Sequence, residues 1–291
     1  MASYQRAHLL ERSLECYRNQ AFDNDRLELV VIDDHSTDNT FDLCDDWSHD
    51  TGIKTTVVTV NPKREAWRDC GAVLNAGIRA SSGEYVLLTH PEVMPGKTSV
   101  NDCVDALIAD EARRKNTFSP SFATGPGLYA CCRVYYMGQH DQAKIDTVDW
   151  RGLGAGAVRG IDGFYEDDVN GNPDYRHAAT DIVAQPGSRI KTWESWVFGG
   201  MSRRAWADLG GMLETQKWGS VDIAFHARRR ALGIQNHTCP SPESIVVHQN
   251  HDGPGEVPTP RDMDVWVKEL KEFNLVDPAK LMYPAVDYLG W

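Results

Sequence analysis

Four short segments of this 291-residue chain bring acids, histidines and flat rings together at spacings that suit chemistry. In Val31-Ile32-Asp33-Asp34-His35-Ser36-Thr37-Asp38 an apolar run ends in two acids followed by a helix-capping triplet. Carboxylates there can accept hydrogen bonds from a base N–H or ribose hydroxyls, and equally Asp33 and Asp34 can cap a turn. In Thr89-His90-Pro91-Glu92 an imidazole and a carboxylate stand two residues apart after another apolar run, so His90 and Glu92 could share a first-row divalent ion. An isolated His-x-Glu is common by chance, and the competing reading is a solvated loop. In the stretch from Glu214 to Asp222 an acid opens an amphipathic helix, where the dipole favours it either as a cap or as an ionised general base. Trp218 beside Gly219 suits a platform for a sugar ring or a place in the core. In Val246-Val247-His248-Gln249-Asn250-His251 a strand runs into two histidines. Alone His248 reads as structural; with His90 and Glu92 it could complete a metal site.

The elements that must position these groups alternate. Residues 7–20 place Leu10, Leu14 and Tyr17 at helical spacing. Leu27–Asp33 reads as a buried parallel strand, and Ser36-Thr37-Asp38 as the cap of a helix through Cys44 and Trp47. Thr55–Val60 is a second strand, Glu65–Ala80 a helix and Tyr85–Thr89 a third strand. This alternation predicts an α/β fold with a mostly parallel sheet flanked by helices, which binds ligands beyond the carboxyl ends of its strands. Further on, Val100–Arg114 reads as helix and Leu128–Met137 as one strand. Residues 138–195 are rich in Gly, Asp and Pro and read as a long loop. Helices are expected at Arg203–Leu209, Asp222–Leu232 and Arg261–Phe273, a strand at Ser244–Gln249, and irregular chain over Asn250–Pro260.

Composition narrows the class. Thirty Lys+Arg against 42 Asp+Glu give a net charge of −12, which disfavours a nucleic-acid scaffold. No apolar run approaches the ~18 residues of a spanning helix, and the start lacks a signal-peptide core. The seven cysteines form no Cys-x-x-Cys pair and read as reduced thiols. The expectation is a cytoplasmic protein.

Together these residues resemble the family-2 glycosyltransferases of the GT-A fold. Tyr4-Gln5-Arg6 with Leu10, Ser13, Leu14 and Gln20 resembles the family's opening "TYNR…L..SL.S...Q". Leu29–Thr40 (LVVIDDHSTDNT) is close to its nucleotide-binding signature "vvVDDgSTDnT". Asn75, Gly77, Ile78, Ala80 and Gly83-Glu84-Tyr85 are similar to "N.Gi..A.GeY". Phe198–Met201 with Leu209–Glu214, and Trp218–Asp222, resemble the "GG(F)DE" and "WGGED" segments of the galactosyl- and N-acetylgalactosaminyl-transferase branches. The likeness covers residues 1–100 and 195–250.

The resemblance implies a metal-dependent, inverting transfer of a hexose or N-acetylhexosamine from a UDP-sugar to an acceptor hydroxyl. The acceptor would be a glycan, protein, lipid carrier or modified nucleic acid. Asp33 and Asp34 would hold the nucleoside, with Arg68 at the diphosphate or base. His90-Pro91-Glu92 stands where the family has Asp-x-Asp, so His90, Glu92 and His248 would bind Mn²⁺ or Mg²⁺. Asp222 would be the catalytic base, and Trp218, Trp193 and Trp196 the acceptor platform. Residues 1–100 would form the nucleotide-sugar half, 101–250 the acceptor half of the same domain with its irregular region, and 251–291 an extension. Two departures stand out. Val221 replaces a family Glu, which leaves a domain that binds nucleotide-sugar or glycan without turnover as the alternative. Only Met1-Ala2-Ser3 precede Tyr4, so the sheet would lack most of an inner strand and carry a core gap unless the true start lies upstream.

Overall fold

The computed structural model describes residues 1–60, 70–116, 127–137, 139–153, 155–156, 161, 196–212, 214 and 221–251. Its first sheet joins β1 (Ala2–Ser3), β2 (Glu28–Asp33) and β3 (Lys54–Thr59) in parallel, in the order β1-β2-β3. Between them run α1 (Ala7–Arg18) and α2 (Thr40–Thr51), and α3 (Cys70–Ala80) follows β3. Side chains of β2 alternate as a strand buried on both faces requires. Leu29 and Val31 pack with Leu10, Leu14, Cys44 and Trp47 of α1 and α2, whereas Val30 and Ile32 pack with Val73 of α3. The sheet is thus the middle of three layers.

Chain direction changes after β4 (Tyr85–Leu88). A four-stranded sheet has the order β4-β8-β6-β9, with β6 at Leu128–Cys131, β8 at Gly199–Ser202 and β9 at Gln235–Thr238. In it β8 runs antiparallel to both β4 and β6, while β6 and β9 are parallel. A third sheet, β5-β10-β7, pairs β10 (Val246–His248) antiparallel to β5 (Val93–Met94) and parallel to β7 (Val134–Tyr136). Helix α4 (Ser99–Lys115) lines the first core cluster through Val100, Cys103, Val104 and Leu107. Helices α7 (Arg203–Leu209) and α8 (Val221–Ala231) close the second, where the Trp206 ring stacks on Phe225 at 5.5 Å.

Several expectations are corrected. The expected strand over Leu128–Met137 is two strands in different sheets, broken at Cys132-Arg133. Part of the expected loop is helical, as α5 (Gln139–Lys144), a 3₁₀ turn at Ile145–Thr147 and α6 (Trp150–Leu153). Ile145 and Trp150 anchor that stretch in a small core with Met94 and Val247. Helix α2 begins at Thr40, and Asp38 caps it by accepting from the Thr40 N–H at 3.2 Å and its hydroxyl at 2.6 Å. Strands β5, β8 and β9 have no counterpart in the sequence pattern, and β5 and β8 add antiparallel pairs beside the parallel first sheet. The expected helix at Arg261–Phe273 lies outside the described residues.

Strand β1 pairs only with the end of β2, at Ile32 and Asp33. Beside the earlier part of β2, a cavity of about 320 Å³ is lined by Leu29 and Val30 on one side and Val86 and Leu88 of β4 on the other, with Met1 and Gly77. No described helix is long and apolar enough to cross a membrane.

Candidate functional site

The turn after β2 carries the two acids. Asp33 and Asp34 are both largely buried. Asp33 Oδ1 accepts the Ser36 N–H at 3.0 Å, and the Asp34 N–H donates to Ser3 O at 2.8 Å. Asp33 therefore fills the turn-capping role that local chemistry suggested. His35, directly after the two acids, has φ +65°, a conformation that favours glycine, at the position the family signature fills with Gly. Gln5 also has positive φ, at +52°. It ties the loop down from α1's side: its N–H donates to Ser36 Oγ at 3.0 Å and its amide to Thr37 Oγ1 at 2.8 Å.

The second group forms where β5 and β10 pair. The register sets His248 opposite Val93, the residue after Glu92, and the Gln249 N–H donates to Glu92 O at 2.9 Å. This brings His248 Nε2 to 3.6 Å from Glu92 Oε1, and His251 Nε2 to the same oxygen at 3.6 Å. The ligating atoms of Glu92, His248 and His251 all lie within 4.8 Å of one another. Burial opposes ionisation of Glu92, but a hydrogen bond from His251 and the charges of His90, His248 and His251 hold its carboxyl down at about 2. Burial pushes His248 down to about 4 despite the pull of Glu92. One ionised carboxylate and a neutral imidazole already suit a first-row cation, which needs deprotonated ligands.

His90 stands at the edge of this group. Its ring meets Trp196 edge-on, with centroids 4.5 Å apart at 75°, and burial lowers its pKa. The charges of Glu92 and Asp222 pull it upward, and those of the Met1 amino group and His251 push it down. Its Nε2 is buried with no hydrogen-bond partner among the described residues. Asp222 sits in the first turn of α8, and its neighbour Val221 packs into the second core cluster. Asn75 of α3 braces the segment before α8: it donates to Met212 O at 3.0 Å and Glu214 Oε1 at 2.8 Å, and accepts from the Met212 N–H at 2.8 Å. Arg228 adds a brace from α8 itself, donating to Gly211 O at 3.0 Å and to Leu209 O.

Glu92 and His248 of the expected metal set are thus neighbours, joined by His251 more closely than by His90. Trp196 is half-buried and engaged by His90 and by both core clusters. Arg68, Trp193 and Trp218 lie outside the described residues. The His-x-x-His spacing of His248 and His251 was the one available signal for His251.

Residues 1–112 match the family model described as Glycosyl transferase family 2. Probable glycosyltransferase YdaM of Bacillus subtilis (strain 168) is 28% identical over 103 residues, 35% of this chain and 24% of YdaM. The match thus spans about a quarter of the length of that curated relative. Among solved structures, S. aureus TarS 1–349 in complex with UDP-GlcNAc has a TM-score of 0.56 at 12% identity, covering 96% of this chain and 67% of that one. The mannosyltransferase PcManGT from Pyrobaculum calidifontis, in complex with GDP-Man and Mn²⁺, has a TM-score of 0.50 at 17% identity, covering 99% and 71%. These likenesses establish the architecture. Residues 1–112 thus resemble glycosyl transferase family 2, and the chain has the GT-A fold of the solved structures it is similar to.

Proposed function

We propose that this protein is a metal-dependent, inverting glycosyltransferase that moves a hexose or N-acetylhexosamine from a UDP-sugar to an acceptor hydroxyl. The observation that carries the reading is the convergence of Glu92, His248 and His251, with Asp222 acting on the adjoining His90. The donor set fits a divalent cation: one carboxylate held ionised, two imidazoles, and the orphaned His90 Nε2 beside them. Glu92, His248 and His251 would hold the ion, whose charge would stabilise a diphosphate leaving group. Residues 1–100 would form the donor half, with Asp33 and Asp34 accepting from the nucleoside and Arg68 at its phosphates or base. Residues 101–250 would form the acceptor half, with Trp196, Trp193 and Trp218 as its platform and 251–291 as an extension. Asp222 would take the proton of the acceptor hydroxyl as that oxygen attacks the anomeric carbon from the face opposite the diphosphate. The Mn²⁺ of the mannosyltransferase and the UDP-sugar of TarS support this choice of cofactor and donor. A cytoplasmic location accords with it.

Asp222→Asn keeps the shape of the side chain but cannot accept the proton. It should lower turnover roughly 10²–10⁴-fold with UDP affinity nearly unchanged. A mere helix cap would instead lose about 1 kcal/mol of stability with turnover per folded molecule preserved. Steady-state kinetics, a melting curve and the anomeric configuration of the product by NMR separate the two. Retained configuration would end the inverting assignment.

A further inference from the structure

A second cluster of ligating side chains lies in the core, apart from the carboxylate–imidazole group. Cys103 comes from the second turn of α4, Cys132 directly follows β6 and Cys239 directly follows β9. All three are free thiols with at most 1% exposure. Cys103 Sγ lies 3.6 Å from Cys132 Sγ and 3.7 Å from Cys239 Sγ, and all three sulfurs lie within 4.8 Å of one another. The positions are held by backbone: the Cys239 N–H donates to Cys131 O at 2.8 Å and the Cys132 N–H to Phe198 O at 3.1 Å.

We propose that Cys103, Cys132 and Cys239 bind one soft, thiophilic divalent metal ion through three thiolates. The spacing is the first reason. Sulfurs about 2.3 Å from a common metal stand roughly 3.8–4.0 Å apart in tetrahedral or trigonal geometry. The observed separations need shifts of only a few tenths of an ångström to match. Ligand type is the second, because a set of thiolates alone selects soft ions over Mg²⁺ or Mn²⁺. Charge is the third: three thiolates around a divalent ion leave −1, around a monovalent ion −2, and an apolar core penalises the larger charge more.

Binding forms three sulfur–metal bonds and releases the thiol protons to solvent; no sulfur is oxidised. Among the described residues the thiols share a buried core with Val100, Val104 and Val134 and are at most 1% exposed. The ion would therefore be structural, tying α4 to the ends of β6 and β9, and would enter as the chain folds.

The test is to produce the full chain in Cd²⁺-supplemented medium, desalt it, and measure bound cadmium and the ultraviolet sulfur-to-metal charge-transfer band. One tightly held equivalent with that band is expected in the wild type. It should persist in Cys70→Ala, a thiol on α3, and in His251→Ala, and disappear in Cys103→Ala and Cys239→Ala. X-ray absorption on the wild type should count three sulfur neighbours, which decides the matter even where a cysteine variant does not fold. A wild type without the band, a count without sulfur, or a band surviving both Cys103→Ala and Cys239→Ala would overturn the site.

Discussion

Asp33 and Asp34 end a strand paired in parallel on both sides, in a contiguous turn capped by its own acids and tied down from Ser3 and Gln5. Glu92, His248 and His251 come from segments far apart in the chain, and only the antiparallel pairing of β5 with β10 makes them neighbours. The first region was written as a contiguous signature; the second had to be assembled. The difference teaches that a local motif can be located without knowing the fold, whereas a ligand set drawn from two strands depends on register. A slip of one residue between β5 and β10 would turn His248 to the other face.

The sharpest way to break this contrast is to remove the assembled group. Glu92→Gln should weaken Mn²⁺-supported UDP binding by at least about 100-fold, since loss of an outer-shell partner alone costs 10–100-fold. His251→Ala should follow it. Titration of UDP with and without Mn²⁺ reads both, and metal dependence surviving in both variants would move the site elsewhere.

Asp34→Ala tests the contiguous side. Loss of a charge-assisted acceptor should cost on the order of 1.5–3 kcal/mol of UDP affinity. The loss should appear with or without metal, unlike that of Glu92→Gln. Equal metal sensitivity in the two variants would mean that the regions do not divide the donor between them.

The four-stranded sheet, likewise assembled from distant segments, should also tolerate little change in its backbone. A Cβ at Gly200 of β8 would lie 2.7 Å from Leu87 Cα and closer still to Val86 O. Gly200→Ala should therefore destabilise the fold by about 1–3 kcal/mol, read by denaturant melting. The smallest effect belongs to the turn after β2. There His35→Gly should relieve the positive φ and raise stability by about 0.5–1 kcal/mol, because removing the steric cost outweighs the added chain entropy. A decrease would show that the imidazole makes contacts worth more than the strain.

The chain's own order of residues determined the early elements and the chemistry of the local turns. The apolar run of β2, the periodicity of α1 and the Asp38 cap are interactions between near neighbours, and near neighbours are visible in a linear string. The same holds for Asp222 at the head of α8. Strand β9, Gln235–Thr238, carries no apolar alternation, and β8 begins with two glycines; both are strands because β6 pairs with them. Val221, out of place against the family pattern, is buried in a core that the sequence does not display. Only the tertiary structure joined His251 to Glu92, and only it gathered Cys103, Cys132 and Cys239 from positions with no motif spacing. The physical reason is common to all of these: cross-strand and interhelical contacts are set by register and packing over long separations, which no local spacing encodes.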